Sequence, residues 1–201
     1  MTKQVTLGIT GATGIPIAFA LLEQLLLHDC IVHLVISNAG IITTKQETGI
    51  TLSGNPNQTK KILCSELNLV NDEQLFVYSN QDWFAPIASG SNVSDVMIVC
   101  PCSMASLGKI AGSLGEDLLI RAADVIMKER KNLILVPRET PFSAIHLENM
   151  LKLAKLGVSI LPPVPAFYNH PKTINDIIIT SVSRILDQAN INNNLATRWG
   201  N

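Results

Sequence analysis

The sequence predicts an α/β domain: a three-layer, doubly wound parallel sheet with helices on both faces. Three observations carry the prediction. Short aliphatic runs alternate with stretches of helical period along the whole chain. The first aliphatic run ends in a glycine-punctuated turn, GITGATG, before the period changes. Of 201 residues, 47% are hydrophobic, but only 15% are charged and 4% aromatic. That composition suits an aliphatic sheet buried on both faces, or a surface hidden in an oligomer. With no internal repeat, low-complexity tract or linker, residues 1–201 read as one domain.

Each element has its own signal. Residues 5–10 are an apolar run closed by glycine, a buried strand. From Ile15 onward, Ile17, Ala18, Leu21, Leu22 and Leu25 share one helical face. The apolar stretch 5–27 behind Lys3 mimics a signal peptide or membrane anchor. Gly8, Gly11, Gly14, Pro16, Glu23 and Gln24 break any spanning helix there. Residues 31–36 form a second strand ended by Ser37 and Asn38. A helical stretch over 58–67 precedes a third strand at 75–78. Residues 96–100 form a fourth strand closed by Pro101, with Ser103 capping the helix that follows. A helix over 116–131, a strand at 133–136 and a helix over 143–155 with a capping box at Ser143 come next. A sixth strand at 158–161, the loop PPVPAFYNHP and a helix over 172–188 complete the pattern.

Composition also excludes function classes. A formal net charge of −1 and few aromatics give neither an electrostatic footprint nor a stacking platform for nucleic acid. Cys30, Cys64, Cys100 and Cys102 contain no CxxC pair, and the CxC at 100–102 is too tight for zinc. The cysteines fit a reducing, cytoplasmic compartment, and no metal site or membrane association is expected.

Ligands of doubly wound sheets bind beyond the carboxyl ends of the strands. The informative residues follow strands: the turn 11–14, Ser37, the PCS at 101–103 and the PRE at 137–139. The glycines at 8, 11 and 14 are spaced GxxGxxG. They admit a phosphate at a helix N-terminus, with Thr10 and Thr13 as hydroxyl donors, or else make only a tight turn. TGATG also occurs in short-chain dehydrogenases, and Tyr168 and Lys172 match their YxxxK. Pro171 just before Lys172 keeps the pair off one helical face. Ser103 and Ser106 can bind a ligand or only cap a helix. Arg121, Asp124, Lys128, Glu129, Arg130, Lys131, Arg138 and Glu139 form the densest charge cluster. Most of it reads as a solvated helix face. Arg138 and Glu139 directly follow a strand, where an Arg suits phosphate and a Glu suits acid–base work. Tyr168 and Arg184 can clamp a second phosphate. Trp83 lies in the loop QDWFAP, and Trp199 in a tail expected to dock.

ITGATG, VISNAG, QET, DWFAP, IASGS, CPCSMASL, RAADVIMKER, VPRETPFSAIHLENM, LPPVPAFYNHP and the closing RW occur in this order over nearly the whole chain. In this the sequence resembles the flavin prenyltransferases, the UbiX/Pad family. The resemblance implies a flavodoxin-like, Rossmann-type flavoprotein fold and a homododecamer with sites at subunit interfaces. It also implies a metal-independent transfer of the dimethylallyl group of dimethylallyl monophosphate to reduced FMN. The product is prenylated FMN, the cofactor of a partner UbiD-type decarboxylase in ubiquinone synthesis or aromatic-acid decarboxylation.

Carried over by position, Gly11, Ala12, Thr13, Ser37, Ser103, Met104, Ala105, Ser106 and Arg138 would contact FMN. Tyr168 and Arg184 would hold the prenyl phosphate, with Lys128 and Arg121 from a neighbouring subunit. The catalytic residues would be Glu139 as the acid–base residue, Glu47 beside it and supplied across an interface, Thr13 with a hydroxyl that keeps a proton relay, and Trp83 walling the allylic cation. Members commonly have Ser in place of Thr13, and Lys or Arg at Arg184. Two other readings share the flavin site: a decarboxylase of cysteine-containing substrates, whose PASANT motif is replaced here by PCSMAS, and a non-catalytic FMN carrier.

Overall fold

A computed structural model describes residues 2–198 and 200. Its strands are β1 (Gln4–Ile9), β2 (Ile31–Ile36), β3 (Leu75–Tyr78), β4 (Val96–Cys102), β5 (Asn132–Pro137) and β6 (Ser159–Ile160). All neighbours pair in parallel, in the order β3-β2-β1-β4-β5-β6. The helices are α1 (Ile15–Leu27), α2 (Asn38–Thr48), α3 (Pro56–Glu66), α4 (Met104–Ala111), α5 (Leu118–Lys128), α6 (Ala144–Lys155) and α7 (Ile174–Gln188). Successive strand residues point to opposite faces, so β4 feeds two cores. Val96, Ile98 and Cys100 pack with α1, α3 and α7, while Met97, Val99 and Cys102 pack with α4, α5 and α6. This is the expected doubly wound, three-layer sheet, in the Rossmann-type strand order. None of the described helices is long and apolar enough to cross a membrane.

Three elements differ from the sequence expectation. β4 does not stop at Cys100 but runs through Pro101 to Cys102, and its register with β5 shifts between Val99 and Cys102. A proline, which has no N–H to donate, is tolerated in a strand at such an irregularity. The helix expected over 116–131 is the shorter α5, because the Asp117 side chain caps it by accepting from the Ile120 N–H at 3.0 Å. α2 was not anticipated at all. Its buried positions are Gly40 and Thr44, which leave no apolar stripe to read.

α2 starts at the end of β2 and crosses the end of β1. A Cβ on Gly11 would lie 2.4 Å from the Ala39 Cβ, and one on Gly40 would lie 2.8 Å from the Ile9 carbonyl oxygen. Glycine at both positions lets α2 sit on the strand end. Strand order reverses between β1 and β4, which puts the ligand crevice between the 10–14 turn and Ser103.

Candidate functional site

Thr10 closes the carboxyl ends of the two central strands. Its hydroxyl donates to the Pro101 carbonyl at 2.9 Å and accepts from the Ser103 N–H at 2.7 Å. Thr10 is 1% exposed, so it ties β1 to β4 and is not the phosphate donor that the sequence allowed. Gly14 has φ +120°, a conformation that favours glycine. Ala12 is buried and Thr13 is exposed in the same turn.

The α1 N-terminus is already capped. Oε2 of Glu47 accepts from the Gly14 N–H at 3.0 Å and from the Ile15 N–H at 2.9 Å. No neighbouring subunit is needed to bring Glu47 here, contrary to the expectation of its arrival across an interface. The anion on this glycine turn is the chain's own carboxylate, held by orphan N–H groups and the helix dipole. A ligand phosphate therefore does not have these two N–H groups to itself.

Three further strand ends contribute. Ser37 caps α2, its Oγ accepting from the Gly40 N–H at 3.0 Å. Ser103 caps α4, accepting from the Ser106 N–H at 3.2 Å and donating to the Ser106 Oγ at 3.0 Å. Met104 is buried in the α4–α6 core, so only its backbone is available to a ligand, whereas Ala105 is exposed. Arg138 and Glu139 follow β5. The Arg138 side chain is exposed, and Glu139 is half-buried with its Oε1 accepting from the Thr140 N–H at 3.0 Å. Cys100 and Cys102, beneath this edge, are fully buried. Burial pushes both thiols up, that of Cys102 to about 12, so neither is a nucleophile.

A cavity of about 250 Å³ opens beside the end of β5. Val136, Leu161, Val164 and Ile185 form its apolar wall, and Tyr168 and Arg184 its polar side. Arg184 Nη1 donates to Asp187 Oδ2 at 2.9 Å, and Arg198 binds the same carboxylate. Asp187 and Arg198 were missed in the sequence. The available signal was the i,i+3 spacing of Arg184 and Asp187 on one helix.

The sequence profile of the Flavoprotein family matches residues 1–186. A flavin prenyltransferase UbiX of Methanocaldococcus jannaschii is 45% identical over 192 residues, covering 96% of each chain. The chain belongs to the UbiX flavin prenyltransferase family. A crystal structure of AnUbiX in complex with FMN and dimethylallyl pyrophosphate superposes with a TM-score of 0.88 at 37% identity. It covers 100% of this chain and 99% of that one. A dodecameric FMN-dependent UbiX-like decarboxylase from Escherichia coli O157:H7 superposes at 0.86 and 41% identity, covering 98% and 100%.

A single chain of this flavin prenyltransferase fold does not unite all the expected residues. Arg121 and Lys128 lie on α5, on the opposite sheet face from α7 and Arg184. They hold the 88–90 loop and acidic neighbours: Arg121 Nε donates to the Ala88 carbonyl at 3.2 Å, and Lys128 pairs with Glu129. Trp83 is half-exposed in the loop after edge strand β3. Trp83 is not among the residues that line the cavity beside β5. Trp199 lies outside the described residues. The described residues hold no cluster of three or more His, Cys, Asp or Glu side chains arranged to bind a metal ion.

Proposed function

We propose that the protein is a flavin prenyltransferase. It joins the dimethylallyl group of dimethylallyl monophosphate to reduced FMN without a metal, and passes prenylated FMN to a UbiD-type decarboxylase. The observation that carries this reading is the cavity beside β5, where an apolar wall meets Tyr168 and Arg184, at the end of the strand that Arg138 and Glu139 follow. A five-carbon chain with an anionic head matches that division of surface.

The donor set suits FMN. Hydroxyls at Ser37, Ser103 and Ser106, the turn at Gly11, Ala12 and Thr13, the backbone of Met104 and Ala105, and the Arg138 guanidinium follow neighbouring strands. Reduced flavin supplies the nucleophilic ring nitrogen and the adjacent aromatic carbon. The chain supplies the rest. Tyr168 and Arg184 bind the phosphate and take up its charge as the allylic C–O bond breaks. Glu139 accepts the proton released as the new bond to the prenyl carbon forms. Glu47 orders the turn beside the flavin, and the exposed Thr13 hydroxyl there relays a proton.

Lys128, Arg121 and Trp83 enter from neighbouring subunits of a homododecamer. The apolar surface left open on the single chain supports such assembly: Phe84 is 98% exposed, and Ile145, Leu147 and Leu151 project from α6. The four free cysteines support a cytoplasmic location.

The test is to mix anaerobically reduced FMN, dimethylallyl monophosphate and protein, with and without chelator, and weigh the flavin. A prenylated flavin in both arms is expected. Bound flavin of unchanged mass would mark an FMN carrier instead, and carbon dioxide released from a cysteinyl substrate would mark a decarboxylase.

A further inference from the structure

Beyond the phosphate ligands stands a carboxylate with two claims on it. Asp187 lies on α7 with its side chain only 17% exposed. Arg198, from the carboxyl-terminal tail, grips it with both guanidinium nitrogens, Nη2 to Oδ1 at 2.9 Å and Nη1 to Oδ2 at 3.2 Å. Arg184 reaches it with one nitrogen only, at 2.9 Å. Asn193 Nδ2 adds a bond to Oδ1 at 3.1 Å, and Asn193 is pinned to α7 by the Ser183 hydroxyl at 2.7 Å. The tail is thereby folded back onto the helix that carries Arg184. Burial works against charge on Asp187, but the Arg198 and Arg184 guanidiniums hold its carboxyl below the usual carboxylate range.

A cavity of about 330 Å³ lies over this group, lined by Tyr168, Asn169, Arg184, Asp187 and Arg198, and it shares Tyr168 and Arg184 with the apolar cavity. Two guanidiniums around one carboxylate leave one net positive charge facing it. The bidentate pair is the stronger of the two, so Arg184 is the arginine released when an anion arrives.

We propose that Asp187 and Arg198 are positioning residues for donor binding: Arg198 occupies the Asp187 carboxylate and so leaves Arg184 free to turn to the phosphate. This rests on the reading of Arg184 as a donor-phosphate ligand. Without Arg198, the Asp187 carboxylate is satisfied by Arg184 alone, and the donor must compete with it. The tail thus tunes affinity for the prenyl phosphate without touching the donor.

The experiment titrates dimethylallyl monophosphate into protein loaded with oxidised FMN, which binds without turnover. Wild type is compared with R184A, R198A, R198K, D187N and the double variant D187N/R198A. The flavin absorbance of each variant reports its folding. R198A is expected to weaken donor binding about fivefold to tenfold, with FMN affinity unchanged and R198K between it and wild type. D187N/R198A is expected to return to within twofold of wild type, because the competing carboxylate is gone. A double variant as weak as R198A overturns the proposal, since a purely structural tail predicts that result. An unchanged affinity in R198A overturns it as well. If R198A does not load FMN, R198K and D187N carry the same comparison: weaker binding in the first and undiminished binding in the second support the proposal, and any other pair overturns it. Unchanged donor affinity in R184A instead overturns the reading of Arg184 itself.

Discussion

Glu47 caps the first helix of its own chain, with Oε2 2.9 Å from the Ile15 N–H and 3.0 Å from the Gly14 N–H. Helix N-termini favour negative charge and leave N–H groups without helical partners. E47A is therefore expected to lower unfolding free energy by about 1 kcal/mol, read from urea denaturation at fixed protein concentration. The vacated N–H groups form an anion site, so sulfate should stabilise E47A more than wild type. Equal sulfate effects in the two proteins would show that the turn has no anion-binding capacity to reveal.

The neighbouring turn is held by a contact that only glycine permits. A Cβ on Gly11 would sit 2.4 Å from that of Ala39, at the start of α2. G11A should cost about 1–3 kcal/mol as overpacking, and weaken FMN binding because Ser37 moves with the helix. A39G removes one side of the clash, so the G11A/A39G pair should recover part of the stability in the same denaturation experiment. No recovery would mean that the backbone of Ala39, 3.2 Å away at its carbonyl carbon, sets the limit.

These two contacts separate what was legible in the sequence from what was not. β1 to β5 were visible because each buries aliphatic residues against the helical layers, and β6 because its partly buried Ile160 sits in a short aliphatic run. Ser37, Ser103, Arg138 and Glu139 were visible because they directly follow strands. α2 was invisible because it buries a glycine and a threonine, and with it went the path that brings Glu47 back to Gly14, 33 residues earlier. Thr10 resembled a ligand donor because a hydroxyl beside a glycine turn looks the same whether it faces a phosphate or the Pro101 carbonyl. Arg198 and Asp187 meet through a tail whose fold no local pattern encodes. The phosphate roles of Lys128 and Arg121 rest on the family resemblance, and the single chain holds both on the opposite sheet face from Arg184.

Acid should act through His33. Its ring lies on β2, stacked on Phe76 and Tyr78 of β3 at centroid distances of 5.6 and 5.8 Å. Nδ1 lies 3.0 Å from the Tyr78 hydroxyl and Nε2 3.3 Å from Gln4 Oε1. Burial pushes the imidazole below its ordinary value. Below about pH 6.5 the unfolded chain binds a proton that native His33 refuses, so stability falls as pH falls through that value. The loss ends once the pH passes below the folded value. H33F keeps the ring stack and removes the titration. Its denaturation midpoint should therefore drop less than that of wild type between about pH 7.5 and 5.5. Parallel drops would assign the acid sensitivity to other groups.

Glu139 gives the sharpest separation of binding from chemistry. It is half-buried at the end of β5, and its Oε1 accepts from the Thr140 N–H at 3.0 Å. A glutamine amide oxygen can accept the same bond, so E139Q should fold normally and load FMN with unchanged affinity. It cannot accept a proton. General acid–base groups contribute about 10²–10⁴-fold to rate, so the single-turnover rate of prenylated-flavin formation in E139Q should fall by that order. R184A should behave differently, losing donor affinity as well as rate, because Arg184 both binds the phosphate and takes up its charge as the C–O bond breaks. A wild-type single-turnover rate in E139Q would remove Glu139 from the chemistry and leave proton transfer to the carboxylate that caps the glycine turn, Glu47. Because Glu47 already holds two backbone N–H groups, E47Q would then have to slow the reaction while retaining most of that cap.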